Sequence, residues 1–385
     1  MNYFSSDFKL GILGGGQLGK MLLHETRKFD VQTFVLDPSD EAPCVLACNK
    51  FYQGDLSDFD TVYEFGKRVD VLTFEIELVN LKALEQLERE GVKVYPSPAT
   101  LKKIQNKGFQ KDFYSQHNIP TSPYKRFDAI AELKSAVNDG SVSIPFVWKL
   151  AEFGYDGFGV KVIRQKSDLD NLPDSECIAE ELVAFANELA VIVARNPDGQ
   201  VMTYPVVEME FHPEANQVEY VICPARIDDK IANEARKLAL KVSEAFDHVG
   251  LLAVEMFLTN DNQLLINEVA PRPHNSGHYS IEGAYTSQFE NHLRAILNLP
   301  LGSTESKAAA VMVNLSGAED HSGNVIYENI DKVLAIPGVT PHIYGKRQTR
   351  PFRKMGHVTI VNNDMSTARQ IAEQVKNTLK VISEK

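Results

Sequence analysis

Apolar runs alternate with stretches of helical periodicity over the first hundred residues. The run at 9–13 leads into a glycine-rich turn, and a helical stripe of apolar residues follows before the run at 31–36. Two later apolar runs flank another helical stretch, and these segments lie at 71–74, 81–90 and 92–95. The repeated order of strand, helix and strand predicts an open α/β sheet with parallel strands.

The pattern changes after Ser97 and Pro98. A basic helical stretch at 99–118 ends at a proline-rich turn, and several short apolar runs then predict antiparallel strands. These runs are 144–150, 178–183, 189–194, 201–208 and 217–222. An amphipathic helix from Ile231 to Phe246 follows them.

The last part of the chain, from about Pro300, is small and rich in predicted strands. It has apolar runs at 309–315 and 357–361 and an amphipathic helix at 367–381. A chain of 385 residues exceeds what one hydrophobic core usually serves. We therefore expect a mixed α/β and α+β protein with three domains, 1–98, 99–300 and 301–385.

One segment, 251–278, carries the clearest chemistry. Two apolar runs flank the turn-forming residues 259–262, which predicts a β-hairpin. If its strands pair symmetrically about Asp261 and Asn262, Glu255 lies opposite Glu268, with Cβ atoms roughly 5 Å apart. At an effective dielectric constant of about 20, two charges at that spacing repel by about 3 kcal/mol. A divalent cation between them would remove this conflict.

The predicted metal ligands are Glu255 and Glu268, with the amide of Asn267 beside them. Oxygen ligands suit a hard ion such as Mg²⁺, which takes further ligands from water and substrate phosphates. A register shifted by one residue is the alternative, because it would turn one carboxylate toward solvent.

Polar and basic residues crowd the loop after the second strand of the hairpin. Two prolines end the strand, and the residues that follow include Arg272, His274, Asn275 and His278. Such a loop is a suitable place to hold an anionic substrate.

The glycine turn near the start fits a G-x-G-x-x-G pattern at Gly14, Gly16 and Gly19, with Asp37 at the end of the next strand. This is the arrangement of a dinucleotide site, in which backbone N–H groups bind an anion at a helix N-terminus. A substrate phosphate or another polar ligand group is the favoured interpretation of the glycines, close strand–helix packing is the second, and a dinucleotide is the third. Glu75 follows the strand at 71–74, where open α/β sheets place ligand contacts.

Two more features are compatible with a nucleotide site. Lys149 lies inside an apolar strand, where a buried ammonium needs a partner such as a phosphate, unless the side chain reaches solvent at the strand edge. The segment 152–160 contains three glycines between two strands and is either a lid over phosphates or a flexible hairpin.

Composition excludes some classes of partner. The net charge of −12 argues against nucleic acid and against an anionic membrane surface. The four cysteines show no zinc-site spacing and are interpreted as free thiols. We find no signal sequence and no run of 18 apolar residues, so we expect a soluble, cytoplasmic protein.

Several motifs in order resemble the ATP-grasp superfamily and, within it, the 5-(carboxyamino)imidazole ribonucleotide synthetases of purine biosynthesis. They are GILGGGQLGKM at 11–21, TFEIELV at 73–79, GYDGFG at 154–159, AEEL at 179–182, NEVAPRPHNSGH at 267–278, and YGK with RKMGH at 344–357. The resemblance implies a three-domain ATP-grasp fold with a Rossmann-like N-terminal domain of the biotin-carboxylase type, a mobile lobe at about 121–184 and a small β-rich C-terminal domain.

The resemblance also implies an activity and its site residues. ATP would phosphorylate bicarbonate, and the carboxyphosphate formed would carboxylate the exocyclic amine of aminoimidazole ribonucleotide in a Mg²⁺-dependent reaction of a homodimer. The ATP-binding residues would be Lys107, Lys149, Gly154, Tyr155, Asp156, Gly157, Phe158, Gly159, Val160, Glu180, Glu181, Leu182, Val183, Glu188, His212, Asn267 and Glu268. The ribonucleotide would contact Gln17, Glu75, Tyr155, Arg272, His274, Lys346 and Arg353, with Asp156, Arg272 and Lys346 as catalytic residues.

The sequence departs from the family pattern at Phe158 and Val160, where Lys or Arg and often Gln are usual, and at Phe352, where Gly is usual. We therefore expect the backbone near Arg353 to follow a different path. Three alternatives stay open: a related ligase such as a formate-using glycinamide ribonucleotide transformylase, an NAD-dependent oxidoreductase, and a non-catalytic nucleotide sensor.

Overall fold

The computed structural model describes residues 2–152, 159–212 and 217–384. Its first unit is a five-stranded parallel sheet of strand order β3-β2-β1-β4-β5. The strands are β1 (Lys9–Leu13), β2 (Gln32–Asp37), β3 (Lys50–Gln53), β4 (Val71–Phe74) and β5 (Lys93–Val94), and the helices are α1 (Gln17–Lys28), α2 (Phe59–Gly66) and α3 (Leu81–Arg89). Apolar side chains cover both faces of the sheet in two clusters, which confirms the predicted α/β unit.

The stretch predicted as one helix at 99–118 is two helices, α4 (Pro98–Gln105) and α5 (Lys107–Gln116). Asn106 interrupts them with extended backbone angles, φ −110° and ψ 119°, and its side chain accepts a hydrogen bond from Phe109 N. The single-helix prediction was wrong because this Asn acts as an N-cap within the helical pattern. As a result, Lys107 is the first residue of α5.

A separate four-stranded antiparallel sheet follows. It has the order β6-β9-β7-β8, formed by β6 (Tyr124–Phe127), β7 (Phe146–Leu150), β8 (Val160–Ile163) and β9 (Cys177–Glu181). Helix α6 (Ile130–Asn138) packs on it through a small apolar core that includes Leu133 and Trp148.

A nine-stranded sheet forms the centre of the molecule. Its first strands are β10 (Phe185–Arg195), β11 (Val201–Thr203), β12 (Val207–Phe211), β13 (Val218–Cys223), β14 (Gly250–Thr259) and β15 (Leu264–Ala270). The amphipathic helix α7 (Asp229–Phe246) buries Val242 and Phe246 against it. The run at 201–208 was predicted as one strand, but Pro205, which lacks a backbone N–H, lies in the gap between β11 and β12.

The C-terminal part continues the same sheet, because β16 pairs antiparallel with β13. Its elements are α8 (Ser280–Gly283), α9 (Gln288–Ile296), β16 (Ala309–Ser316), β17 (Gly323–Glu328), α10 (Ile330–Leu334), β18 (Val339–Ile343), β19 (Gln348–Thr349), β20 (Lys354–Asn362), α11 (Met365–Thr378) and β21 (Lys380–Ser383). The predicted helix 367–381 is too long at its end, because Val381 pairs with Tyr327 in a three-stranded sheet.

The structure agrees with the predicted mixture of α/β and α+β units. All four cysteines are free thiols. Across the described residues, no helix combines the length and apolar character needed to cross a membrane.

Candidate active site

The two carboxylates of the hairpin meet at a β-bulge between β14 and β15. Val254 pairs with Val269, whereas Met256 pairs with Ile266, so Glu255 alone faces both Asn267 and Glu268. The predicted pairing is therefore confirmed at Val254 and Val269, on the side of the bulge away from the turn. Between the bulge and the turn, the pairing is shifted by one residue. The bulge brings an amide and a carboxylate to one position of the partner strand.

Two lysines from different elements reach this bulge. Lys107, at the start of α5, forms an ion pair with Glu268 Oε2. Lys149 of β7 donates a hydrogen bond from Nζ to Asn267 Oδ1 at 3.0 Å and lies 3.2 Å from Glu180 Oε1. Since Lys149 is only 7% exposed, the alternative in which its ammonium reaches solvent is wrong.

The two carboxylates have opposite electrostatic environments. Burial, with the nearby charges of Glu268 and Glu188, raises the pKa of Glu255, whereas Lys107 lowers the pKa of Glu268. His274 Nε2 lies 3.4 Å from Glu255 Oε1. Two adjacent, partly buried carboxylates with incomplete charge compensation fit a bound cation. No group of three or more His, Cys, Asp or Glu among the described residues is arranged for a metal, so the donor set is limited to this pair and neighbouring oxygens.

The glycine turn after β1 is occupied by side chains of the protein itself. Glu75 accepts hydrogen bonds from Gly16 N and, at 2.5 Å, from Gly19 N, and Asp37 accepts one from Gly15 N at 2.7 Å. A dinucleotide would need these same N–H groups to bind its pyrophosphate, but they already donate to Glu75 and Asp37. The geometry therefore disfavours the NAD(P) interpretation, and the turn serves to position Glu75 instead.

A cavity of about 510 Å³ connects the glycine turn with the hairpin. Its lining includes seven predicted site residues, namely Gln17, Glu75, Lys107, Glu255, Glu268, Arg272 and His274. It also includes Tyr344 and Lys354, which sequence reasoning did not assign. Lys354 could have been found from its place in the basic segment that follows Tyr344.

Arg272 and the predicted phosphate-binding residues have local partners. Arg272 Nε lies 2.9 Å from Glu77 Oε1, which holds the guanidinium beside the cavity. Lys346 Nζ donates to Lys354 O at 2.8 Å, and Arg353 Nη1 donates to Gln348 O at 2.7 Å. Lys346 and Arg353 are not part of the cavity lining as formed by the described residues, although the adjacent Tyr344 and Lys354 are.

The predicted nucleotide residues lie where β9 passes into β10. Glu180 is buried, Glu181 and Leu182 are exposed and Val183 is partly buried. Burial raises the pKa of Glu188 to about 7. Gly159 has a φ of 77° and precedes β8, whose first residue is Val160. The flap residues Gly154, Tyr155, Asp156, Gly157 and Phe158 lie outside the described residues.

The aromatic residue that precedes Arg353 keeps an unusual backbone conformation. Phe352 has a φ of 59°, in the left-handed region that glycine adopts most readily. Its ring lies 5.9 Å from that of His212. A glycine at this position would adopt the same conformation more readily, and the expected change of path near Arg353 stays a prediction.

Three family profiles match consecutive parts of the chain. The ribonucleotide synthetase preATP-grasp domain matches residues 8–105, the ATP-grasp domain matches 112–289, and the phosphoribosylaminoimidazole carboxylase C-terminal domain matches 310–371. The N5-carboxyaminoimidazole ribonucleotide synthase of Synechococcus elongatus is 36% identical over 376 residues, which are 96% of this chain and 93% of that relative. The chain belongs to the N5-carboxyaminoimidazole ribonucleotide synthetase family.

Solved structures of this synthetase family share the whole fold. The enzyme from Thermotoga maritima has 43% sequence identity and a TM-score of 0.90, with 98% of this chain and all of that chain covered. A structure from Aspergillus clavatus in complex with ADP and 5-aminoimidazole ribonucleotide has 34% identity and a TM-score of 0.85, with 96% and 98% covered. The chain spans 65% to 69% of the length of three curated relatives named phosphoribosylaminoimidazole carboxylase.

Proposed function

We propose that the protein is an ATP-dependent carbon–nitrogen ligase that carboxylates the exocyclic amine of 5-aminoimidazole ribonucleotide with bicarbonate in purine biosynthesis. The products are 5-(carboxyamino)imidazole ribonucleotide, ADP and phosphate. The observation that carries the proposal is the single cavity that joins the Lys107, Glu255 and Glu268 cluster to Glu75 and Arg272. The end with Lys107, Glu255 and Glu268 has the charged groups to bind a triphosphate and its cation. The end with Glu75 and Arg272 has polar groups that suit a ribonucleotide.

The nucleotide end rests on the hairpin and on two lysines. Lys107 and Lys149 would clamp the phosphates, while Glu180 to Val183 would contact adenine and Glu188 the ribose. Glu255 and Glu268, with Asn267 beside them, would hold Mg²⁺. When bound, Mg²⁺ offsets the negative charge of the phosphates during phosphoryl transfer. His212 and the flap residues 154–160 would complete this subsite.

The reaction would have two steps. A bicarbonate oxygen takes the γ-phosphoryl group from ATP, which gives carboxyphosphate and releases ADP. The amine nitrogen of the ribonucleotide then forms a bond to the carboxyl carbon, the C–O bond to phosphate breaks, and the nitrogen loses a proton. Arg272, oriented by Glu77, is suited to hold the anionic bicarbonate and carboxyphosphate because a guanidinium pairs with two oxygens at once. Asp156 and Lys346 are the other proposed catalytic residues.

The ribonucleotide would bind at the other end of the cavity. Gln17, Glu75, Tyr155 and His274 would contact its base and ribose. Its 5′-phosphate would meet the basic segment that contains Lys346 and Arg353, because paired cations suit a dianion. Lys354, which belongs to the same segment, lines the cavity and is a further cation beside them.

The family likeness supports the proposed assembly, whereas the proposed location rests on the sequence. We propose a homodimer in the cytoplasm, with small molecules rather than nucleic acid or membranes as partners. The domain division at residues 98 and 300 remains part of the proposal.

The decisive experiment measures ADP release from Mg-ATP. ADP should form only when both bicarbonate and aminoimidazole ribonucleotide are present. Each omission is the matched control for the other substrate. ADP release with formate and glycinamide ribonucleotide alone would replace this proposal with the transformylase. Protein that binds NAD(P) but hydrolyses no ATP would restore the oxidoreductase.

A further inference from the structure

A third lysine, Lys111, lies beneath the nucleotide end of the site. It is located one turn of α5 after Lys107, and its side chain is 2% exposed. Its Nζ donates hydrogen bonds to Thr121 Oγ1 at 2.6 Å and Ser122 Oγ at 3.2 Å. A lysine is almost never buried to this extent without a charged partner.

That partner is Glu180, and a second lysine shares it. Glu180 Oε1 lies 3.3 Å from Lys111 Nζ and 3.2 Å from Lys149 Nζ. The other carboxylate oxygen accepts a hydrogen bond from Ser122 Oγ at 2.9 Å. The Glu180 side chain is only 3% exposed, so solvent does little to screen these charges.

The charges of this buried trio do not cancel. Two ammonium groups and one carboxylate leave one unit of positive charge, and Lys149 is the member that also reaches Asn267 on the hairpin. If Lys111 were absent, Glu180 would neutralise Lys149 alone. Lys111 thereby leaves the charge of Lys149 available to an anion.

Lys111 also ties together three chain segments around the site. Thr121, which it contacts, donates from Oγ1 to Ile266 O at 2.7 Å, one residue before the bulge. Ser122 links the same lysine to Glu180 at the end of β9. The burial that isolates Lys111 also lowers its pKa to about 8.

We propose that Lys111 is a positioning residue for phosphate binding, which acts by compensating Glu180 so that Lys149 keeps an uncompensated positive charge. This inference rests on the proposed use of ATP. Lys111 itself would not contact the nucleotide, because its Nζ is enclosed by Thr121, Ser122 and Glu180.

The test compares ADP with adenosine, which lacks phosphates. In Lys111→Met, ADP affinity should fall on the order of tenfold through loss of one unit of charge near the phosphates, while adenosine affinity stays unchanged. Both are measured by calorimetry in the presence of Mg²⁺. Lys102→Met, at a lysine whose side chain is 66% exposed, is the control and should bind both ligands as the unmodified protein does.

A double variant supplies the sharpest readout. Adding Glu180→Gln to Lys111→Met removes the remaining carboxylate and restores the net positive charge. Because Glu180 is also a proposed adenine contact, the readout is the ratio of ADP affinity to adenosine affinity, which should recover toward that of the unmodified protein. Lys149 keeps its hydrogen bond to Asn267 in the double variant but loses its buried carboxylate partner, so the thermal unfolding midpoint is measured alongside binding. Lys111→Gln, which keeps a hydrogen-bonding side chain, serves if Lys111→Met does not fold.

Two results would overturn the proposal. One is unchanged ADP affinity in the folded Lys111 single variants, and the other is a loss of ADP and adenosine affinity by the same factor in those variants. Failure of the unmodified protein to bind ADP would instead reject the proposed function, and this outcome is distinct from the two that concern Lys111.

Discussion

The ammonium group of Lys107 forms an ion pair with the carboxylate of Glu268, although these residues are 161 positions apart in the chain. The pair joins the first residue of α5 to the bulged strand β15. Lys107 is the main reason why the pKa of Glu268 is held below its ordinary value. Glu268 therefore presents a full negative charge beside Glu255 at neutral pH.

Replacing Glu268 by Gln should reduce the rate of ADP release on the order of 100-fold or more. The substitution removes the negative charge that would bind Mg²⁺ and that pairs with Lys107. The thermal unfolding midpoint should change little, because the lost ion pair with Lys107 is offset by the relief of repulsion between Glu268 and Glu255. Asp261→Asn, in the exposed turn of the same hairpin, should retain full activity. Full activity in Glu268→Gln would contradict the metal assignment.

Replacing Arg353 by Ala should raise KM for aminoimidazole ribonucleotide by about tenfold or more and leave KM for ATP unchanged. The reason is that one of two cations proposed for the 5′-phosphate is lost. Steady-state kinetics with each substrate varied in turn would measure both constants. Lys332→Ala, at an exposed position of α10, is the control. Equal effects on both substrates would argue against a phosphate-specific role.

Replacing Glu75 by Gln should lower the free energy of unfolding by about 1 to 2 kcal/mol in the absence of substrate. Glu75 accepts from both Gly16 N and Gly19 N, and an amide offers one acceptor oxygen where the carboxylate has two. Denaturant unfolding at neutral pH would measure the loss. Glu88→Gln, at an exposed position of α3, should have no comparable effect. A Glu75→Gln protein as stable as the parent would show that the capping interaction contributes little.

Replacing His292 by Gln should flatten the dependence of stability on acid pH. Burial lowers the pKa of His292 to about 3, and its Nε2 lies 3.0 Å from Thr73 Oγ1. An unfolded histidine titrates near pH 6.5, so the native state resists protonation that the unfolded state accepts. The stability due to neutral His292 is complete above that pH and is lost as pH falls toward 3.

The slope that His292 contributes is about 1.4 kcal/mol per pH unit across this window. Urea unfolding at several pH values from about 6.5 down would show a smaller slope in His292→Gln than in the parent. His117→Gln, at an exposed position, should leave the slope unchanged. Parallel curves for parent and His292→Gln would mean that His292 is not neutral in the folded protein.

The sequence was most informative where chemistry and periodicity coincide. The opposed Glu255 and Glu268 were predicted from residue spacing, and the structure places both at one bulge. The extra residue of that bulge could not be predicted, since no glycine or proline marks it. The break at Asn106 was missed because an internal N-cap looks like any polar helix residue.

Contacts between segments that are distant in the chain could not be predicted from the sequence either. Nothing near Glu75 in sequence predicts that it accepts from Gly16 and Gly19, because that contact depends on β1 and β4 being neighbours. Lys111 was visible only as one of several lysines in a basic helix. Its burial against Glu180 depends on how helix α5 packs against the four-stranded sheet.

The pairing of β13 with β16 makes one hydrogen-bonded ladder run from the hairpin to the strands that flank the basic segment. A hinge between the hairpin and the strands that flank the basic segment would break that ladder, so these two parts of the molecule keep a fixed separation. The smaller sheet that carries Lys149 and the N-terminal sheet next to Glu75 both lie outside this ladder, so either could move without breaking it. A chain cut before residue 300 would leave the N–H and C=O groups along one side of β13 without partners, and such an uncovered strand invites aggregation.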